Sequence, residues 1–113
     1  MNQGSRQAYD RDKLVELFGD DPRTLAEVER EFLDTAREAA CEIKGTDDFT
    51  AIARAAHRLK GASGMIGALA LRQIAEAIER AAKAEDLSIV RRLRELFDHE
   101  IRRVAEQAGV TAE

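Results

Sequence analysis

Apolar residues recur along this chain at spacings of three and four, the repeat of a helix with one buried face. Sustained apolar–polar alternation, the mark of a half-buried strand, is missing, and β-branched residues are scattered. A short first helix is expected from about Asp10 to Phe18, with Leu14, Leu17 and Phe18 on one side and Gly19 closing it. Asp20-Asp21-Pro22 restarts the chain: an acidic cap, then a proline whose missing N–H costs nothing in a first turn. The second helix carries Leu25, Val28, Phe32, Ala36, Ala39 and Ile43, and ends at Gly45. Thr46 or Asp47 is the expected cap of the third, whose stripe is Ile52, Ala55, Leu59, Ala62 and Ile66, with Gly67 after it. A fourth is expected from about Leu69 to Ala84, with Leu71, Ile74, Ile78 and Ala81 inward. Glu85-Asp86 leads into a fifth, which carries Val90, Leu93, Phe97, Ile101 and Val104 and stops near Gly109.

Long amphipathic helices joined by short loops favour antiparallel neighbours. The predicted fold is therefore all-α: an antiparallel up-down four-helix bundle with a short extra N-terminal helix. Residues 1–9 are expected to form a flexible N-terminus, and residues 10–109 a single helical domain.

Composition narrows the function. The 113 residues suit one domain. One cysteine cannot form an internal disulfide or a thiolate zinc site, and two histidines are too few for a histidine cage. A formal charge of −4 provides no basic footprint for nucleic acid. No apolar run is long enough to span a bilayer, and no signal peptide opens the chain. A cytoplasmic protein with no membrane or nucleic-acid partner is the expectation, and the initial methionine and the length suggest that it stands alone.

The third helix holds an anomaly. On a helical wheel with His57 at the origin, Leu59, Ile52 and Ile66 fall at about 180–220°, so the histidine lies opposite the apolar stripe. Gly61 and Gly64 share the histidine's face, and Lys60 lies one turn on. Each interior helix glycine costs roughly 1 kcal/mol relative to alanine. Close packing could explain that cost on a buried face; on an outward face the remaining reason is clearance for something approaching the imidazole. Packing against the first helix is an alternative for Gly64. An exposed imidazole, a steric window and a nearby cation suit a ring that attacks phosphorus and carries the phosphoryl group. An ordinary surface histidine is the alternative.

Register adds a partner. If Gly67-Ala68 is the turn between antiparallel helices, His57 lies level with Glu79 and Lys60 with Glu76. Glu79 could then accept a hydrogen bond from Nδ1–H, fixing the tautomer that leaves Nε2 with its lone pair outward. Lys60–Glu76 would be a weak surface pair. His99 points away from the apolar stripe and reads as a bystander, and Cys41 as a small half-buried residue.

The stretch Ala56-His57-Arg58-Leu59-Lys60-Gly61-Ala62-Ser63, followed by Ile66-Gly67-Ala68 and Leu71, resembles the histidine-containing phosphotransfer domain of bacterial phosphorelays. Leu17-Phe18-Gly19-Asp20-Asp21-Pro22 and Phe32 resemble that family's opening. The resemblance implies a four-helix bundle without nucleotide binding, whose histidine exchanges a phosphoryl group with aspartates of receiver domains. By position His57 would be the acceptor, Lys60 would steady the phosphate charge and Gly61 would admit the receiver. Many members have glutamine where Glu79 stands, which leaves its role in orienting the ring open. Arg54, Arg58, Gly64 and Met65 flank the site as candidate receiver contacts, Met65 together with residues of the first helix; exposed helix charges and an ordinary groove-filling methionine are the alternatives.

The chain shows no acidic cluster for its own magnesium and no phosphate-cradling glycine loop. The expectation is therefore no cofactor on this chain, Mg2+ on the partner receiver, no ATP-dependent kinase activity, and a monomer meeting receivers, including one on a hybrid histidine kinase. Two other readings compete. A sensor-kinase dimerisation and phosphoacceptor domain usually has an acidic residue after the histidine and a proline five residues on, where this chain has Arg58 and Ala62. A non-catalytic helical adaptor leaves the two outward glycines unexplained.

Overall fold

The computed structural model describes residues 7–109. Six helices follow in order: α1 (Arg11–Phe18), α2 (Pro22–Lys44), α3 (Phe49–Met65), α4 (Leu69–Lys83), α5 (Leu87–Arg94) and α6 (Phe97–Ala108). Among the described residues there is no strand, and no helix is long and apolar enough to cross a membrane. The helices form a bundle in which α3 packs on α4 and α2, while α6 covers α2 and α4. The stripe residues Leu25, Phe32, Ala36, Ile43, Ile52, Leu59, Leu71, Ile78, Phe97 and Val104 all lie in one buried core.

The capping chemistry follows the expected acidic restarts with one shift. Asp10, Asp21 and Asp86 accept hydrogen bonds from the first turns of α1, α2 and α5. The cap of α3 is Asp48, which accepts from the Thr50 amide, rather than Thr46 or Asp47. Thr46 instead accepts from the Asp48 amide and holds the cap in place. Asp48 directly precedes the first helical residue, so its carboxylate reaches an amide of the first turn, whereas Thr46 lies too far back and reaches only the cap residue.

Three expectations are corrected. Leu17 and Phe18 are exposed, at 53% and 39%, and α1 buries Leu14 alone. An eight-residue helix laid on the bundle's flank has room for one inward turn. Cys41 is exposed rather than half-buried. The fifth helix is two helices: the Leu96 amide bonds back to the Leu93 carbonyl, three residues away, which tightens the turn. The bend lets α5 follow α4 while α6 swings onto α2, with Phe97 fully buried just past the break.

Just ahead of α1, residues 8 and 9, which the sequence places in the flexible terminus, are packed: Ala8 and Tyr9 are 6% and 0% exposed. The Gln107 side chain accepts from the Ala8 and Tyr9 amides and donates to the Tyr9 carbonyl. The Tyr9 hydroxyl donates to Glu29, a buried carboxylate that also pairs with Arg11 at 2.9 Å. Burial first, and then the bond to Glu29, push the tyrosine's pKa up. Residues 1–6 lie outside the described residues.

The α3–α4 turn holds this segment against the bundle. The Asp10 amide donates to the Ile66 carbonyl, and Lys13 Nζ donates to the Gly64 carbonyl at 2.9 Å. Gly67 has φ +69°, and a Cβ there would lie 2.6 Å from Asp10 Cβ. Gly67→Ala therefore combines left-handed strain, roughly 1–3 kcal/mol, with a clash against backbone-anchored atoms. A loss of at least about 1–3 kcal/mol is expected in urea denaturation of the variant.

Candidate functional site

The helices α3 and α4 run back along each other, and the tight turn at Ile66–Ala68 sets their register. Gly64 lies beside Arg72 and His57 beside Glu79, pairs equidistant from residue 68. The outward position of His57 follows from its place opposite the Ile52–Leu59 stripe, and its side chain is 69% exposed. Its Nδ1 lies 2.9 Å from Glu79 Oε2. Because Glu79 is an acceptor, this contact favours a proton on Nδ1, the tautomer of a neutral imidazole that leaves the lone pair on Nε2.

Glu79 is the hub of the site. Its side chain is only 7% exposed, yet both oxygens are engaged. Lys60 Nζ lies 2.9 Å from Oε1, and Lys83 Nζ lies 3.3 Å from Oε2, the atom His57 also uses. The Lys60 hydrogen bond acts most strongly to hold the Glu79 carboxyl down; burial opposes it, and the Lys83 and His57 bonds reinforce it. The balance places its pKa at about 2, so the group is ionised at neutral pH.

The expected Lys60–Glu76 pair does not form. Lys60 bonds to Glu79, and Glu76 lies 3.8 Å from Arg80 on its own helix. Side chains on a helix lean toward its N-terminus. In antiparallel helices Lys60 and Glu79 therefore lean toward each other, closing the one-turn offset that Cα counting assigns them. Lys83 was missed by the sequence reading. Its signal was present: Glu79 and Lys83 are separated by four residues, the favourable order for a helical ion pair.

Gly61 lies one turn beyond His57 on the same face. A Cβ built there would meet nothing within 4 Å. No packing partner within the described residues therefore accounts for this glycine. Gly64 is different, since an added Cβ would touch Arg72 Cδ at 3.6 Å, an ordinary contact. Lys13 of α1 bonds to the Gly64 carbonyl, but only Arg72 of α4, and no atom of α1, lies within 4 Å of where a Cβ at Gly64 would be.

Met65 ends α3 with 54% of its surface exposed, next to the Gly64 carbonyl that Lys13 of α1 reaches. Exposed Leu17 and Phe18 lie on that neighbouring helix. Arg54 and Arg58 are exposed but face a shallow groove between α2 and α3, where Arg58 is paired with Glu42. The structure thus gathers His57, Lys60 and Glu79 into one bonded cluster with Gly61 beside it, and turns Arg58 toward α2. His99 is exposed and outside this cluster. Among the described residues no group of three or more His, Cys, Asp or Glu side chains is arranged to hold a metal ion.

The molecule is an all-helical bundle that displays an exposed histidine, tethered by a buried carboxylate, beside two lysines. The model of the Hpt domain family matches residues 13–107, and the chain belongs to that family. Domains of this family relay phosphoryl groups through a histidine in phosphorelays, meet receiver domains, and are themselves phosphocarriers rather than kinases. Comparison with curated proteins and with solved structures gives no match.

Proposed function

We propose that His57 is the phosphoacceptor of this domain and exchanges its phosphoryl group with the aspartates of receiver domains. The observation that carries this reading is the exposed ring with Nδ1 tied to Glu79, which leaves Nε2 as the free nucleophile. In the forward step the Nε2 lone pair forms an N–P bond. The O–P bond of the receiver's aspartyl phosphate breaks, and its electrons return to the receiver's carboxylate. Lys60 turns its ammonium toward the incoming phosphoryl oxygens, and Gly61 leaves room for the receiver's own backbone. Phosphoryl transfer needs in-line positioning and charge neutralisation more than covalent machinery. Mg2+ belongs to the receiver in this scheme, and this chain binds no cofactor.

In this reading α2, α3, α4 and the α5–α6 pair form the four legs of an up-down bundle, with α1 as the additional helix. Residues 10–109 form the single phosphotransfer unit, acting in the cytoplasm as a monomer. Met65 on α3 and Leu17 and Phe18 on α1 supply an apolar rim for receivers, including the receiver of a hybrid histidine kinase. Arg54 and Gly64 flank it. Arg58 reaches an acidic partner only by leaving Glu42, an exposed pairing worth little.

The test mixes the protein with a panel of phosphorylated receivers and, separately, with ATP and magnesium. Acid-labile, base-stable label is expected from receivers and none from ATP. Labelling from ATP alone, or transfer from no receiver in the panel, would overturn the proposal, the second outcome favouring an adaptor.

A further inference from the structure

We infer that Glu79 makes His57 a transmitting rather than a storing phosphocarrier, because a carboxylate facing Nδ1 keeps that nitrogen protonated after Nε2 has been phosphorylated. The inference rests on His57 being the phosphoacceptor and concerns how long and how readily it holds the group.

The argument starts from what Glu79 can do. An ionised carboxylate only accepts hydrogen bonds. Glu79 is buried, and its oxygens face Lys60, Lys83 and the His57 Nδ1. The charged groups bonded around the ring are thus Lys60 from α3 and Glu79 and Lys83 from α4. Before transfer, Nδ1 carries the proton and Nε2 the lone pair. When Nε2 forms the N–P bond and the acyl O–P bond breaks, the ring becomes a phosphoimidazolium with its proton still on Nδ1. In water such a ring can release that proton and become a neutral phosphoimidazole. Here release would leave a bare nitrogen lone pair 2.9 Å from a carboxylate oxygen, two acceptors face to face. The cost of that unmade bond at a buried carboxylate keeps the proton in place.

Keeping it determines the outward step. As the next receiver's carboxylate attacks phosphorus, the N–P electron pair returns to Nε2 and the leaving group is a neutral imidazole. No proton has to be supplied at that moment. A glutamine at this position could turn its amide and donate N–H to a bare Nδ1, stabilising the neutral phosphorylated ring. The lysines push in the same direction as the carboxylate. Lys60 and Lys83 are 28% and 67% exposed, so their tips can lean from Glu79 to the phosphoryl oxygens. Glu79 then loses part of the charge that compensates its burial and depends more on the Nδ1–H of His57, which strengthens the hold on that proton.

The experiment loads the full chain, with nitrogen-15-labelled histidine, using phosphoramidate as a small phosphodonor. At mildly alkaline pH, NMR of the wild-type phosphoprotein is expected to show a protonated Nδ1. Glu79→Gln is expected to show a lone-pair Nδ1 and a phosphohistidine that survives about tenfold longer without receiver, the factor carried by one pKa unit of differential stabilisation. A wild-type phosphoprotein with a bare Nδ1 overturns the inference, whether or not the variant folds. So does a folded Glu79→Gln protein with an unchanged lifetime, and in both cases the acceptor assignment stands. If His57→Gln takes up label from phosphoramidate as readily as wild type, the acceptor assignment falls and this inference falls with it.

Discussion

Replacing His57 with glutamine is expected to abolish phosphoryl uptake from every receiver while leaving the fold in place. The ring is mostly solvent-exposed and contributes nothing to the buried core, so its loss removes no cavity-filling surface. Its one bond is the donation from Nδ1 to Glu79, which a glutamine amide can also make. Stability within about 0.5 kcal/mol of wild type is expected, as for surface substitutions away from special features. Uptake should fall to background, because an amide has no nucleophilic lone pair comparable with Nε2. Circular dichroism and urea denaturation check the first part, and transfer from a phosphorylated receiver the second. Residual labelling at another residue would show as label that survives the substitution. His99 is the control: it lies exposed outside the Glu79 cluster, and its replacement should leave uptake unchanged.

The Gly61→Gln variant should separate folding from function in the opposite sense. Glycine in an exposed helix interior costs more than glutamine, so the variant is expected to gain about 0.5 kcal/mol. Among the described residues nothing lies within 4 Å of the position its Cβ would take. Transfer from a receiver should nevertheless slow by roughly a hundredfold, the size of effect that a displacement of about 1 Å from in-line geometry produces. Loading by a small donor such as phosphoramidate should be affected far less, since a small molecule can pass a side chain that a receiver's backbone cannot. A receiver transfer rate equal to wild type would show that the glycine serves something other than clearance. Both measurements use the same preparations, so a folding defect would be visible in the denaturation curve before any rate is compared.

Much of this protein was legible along the chain. The stripes at three- and four-residue spacing, the aspartate caps and the glycine at the α3–α4 turn depend on neighbours within about one helical turn, which sequence reports directly. His57, Lys60 and Gly61 were legible for the same reason, because they share one helix. Even the His57–Glu79 contact could be counted, since a short turn between antiparallel helices sets the register. What sequence spacing misjudged was where long side chains end. Lys60 chose Glu79 over Glu76 because both helices tilt their side chains toward their N-termini. Lys83 lies one turn from Glu79 on the same helix and adds a second cation to the cluster.

The parts that no local pattern announces are those made between distant segments. Neither Tyr9, in the opening segment, nor the charged Glu29 belongs to an apolar stripe, and the packing of the segment before α1 over α2 and α6 explains their burial. Leu17 and Phe18 have the spacing of core residues, yet α1 is too short and too peripheral to bury them. The fifth apolar stripe continues unbroken through Leu93 and Phe97, yet the helix bends there to meet two different neighbours. The sequence by itself thus determined the helices, their order and a histidine on an outward face with glycines beside it. Tertiary structure alone decided that Lys60 would join the same carboxylate as that histidine, and that the carboxylate would be buried. The physical reason is reach: periodicity orients a Cα–Cβ bond, but the tip of a lysine or glutamate lies several ångströms further on, where the neighbouring helix decides what it meets.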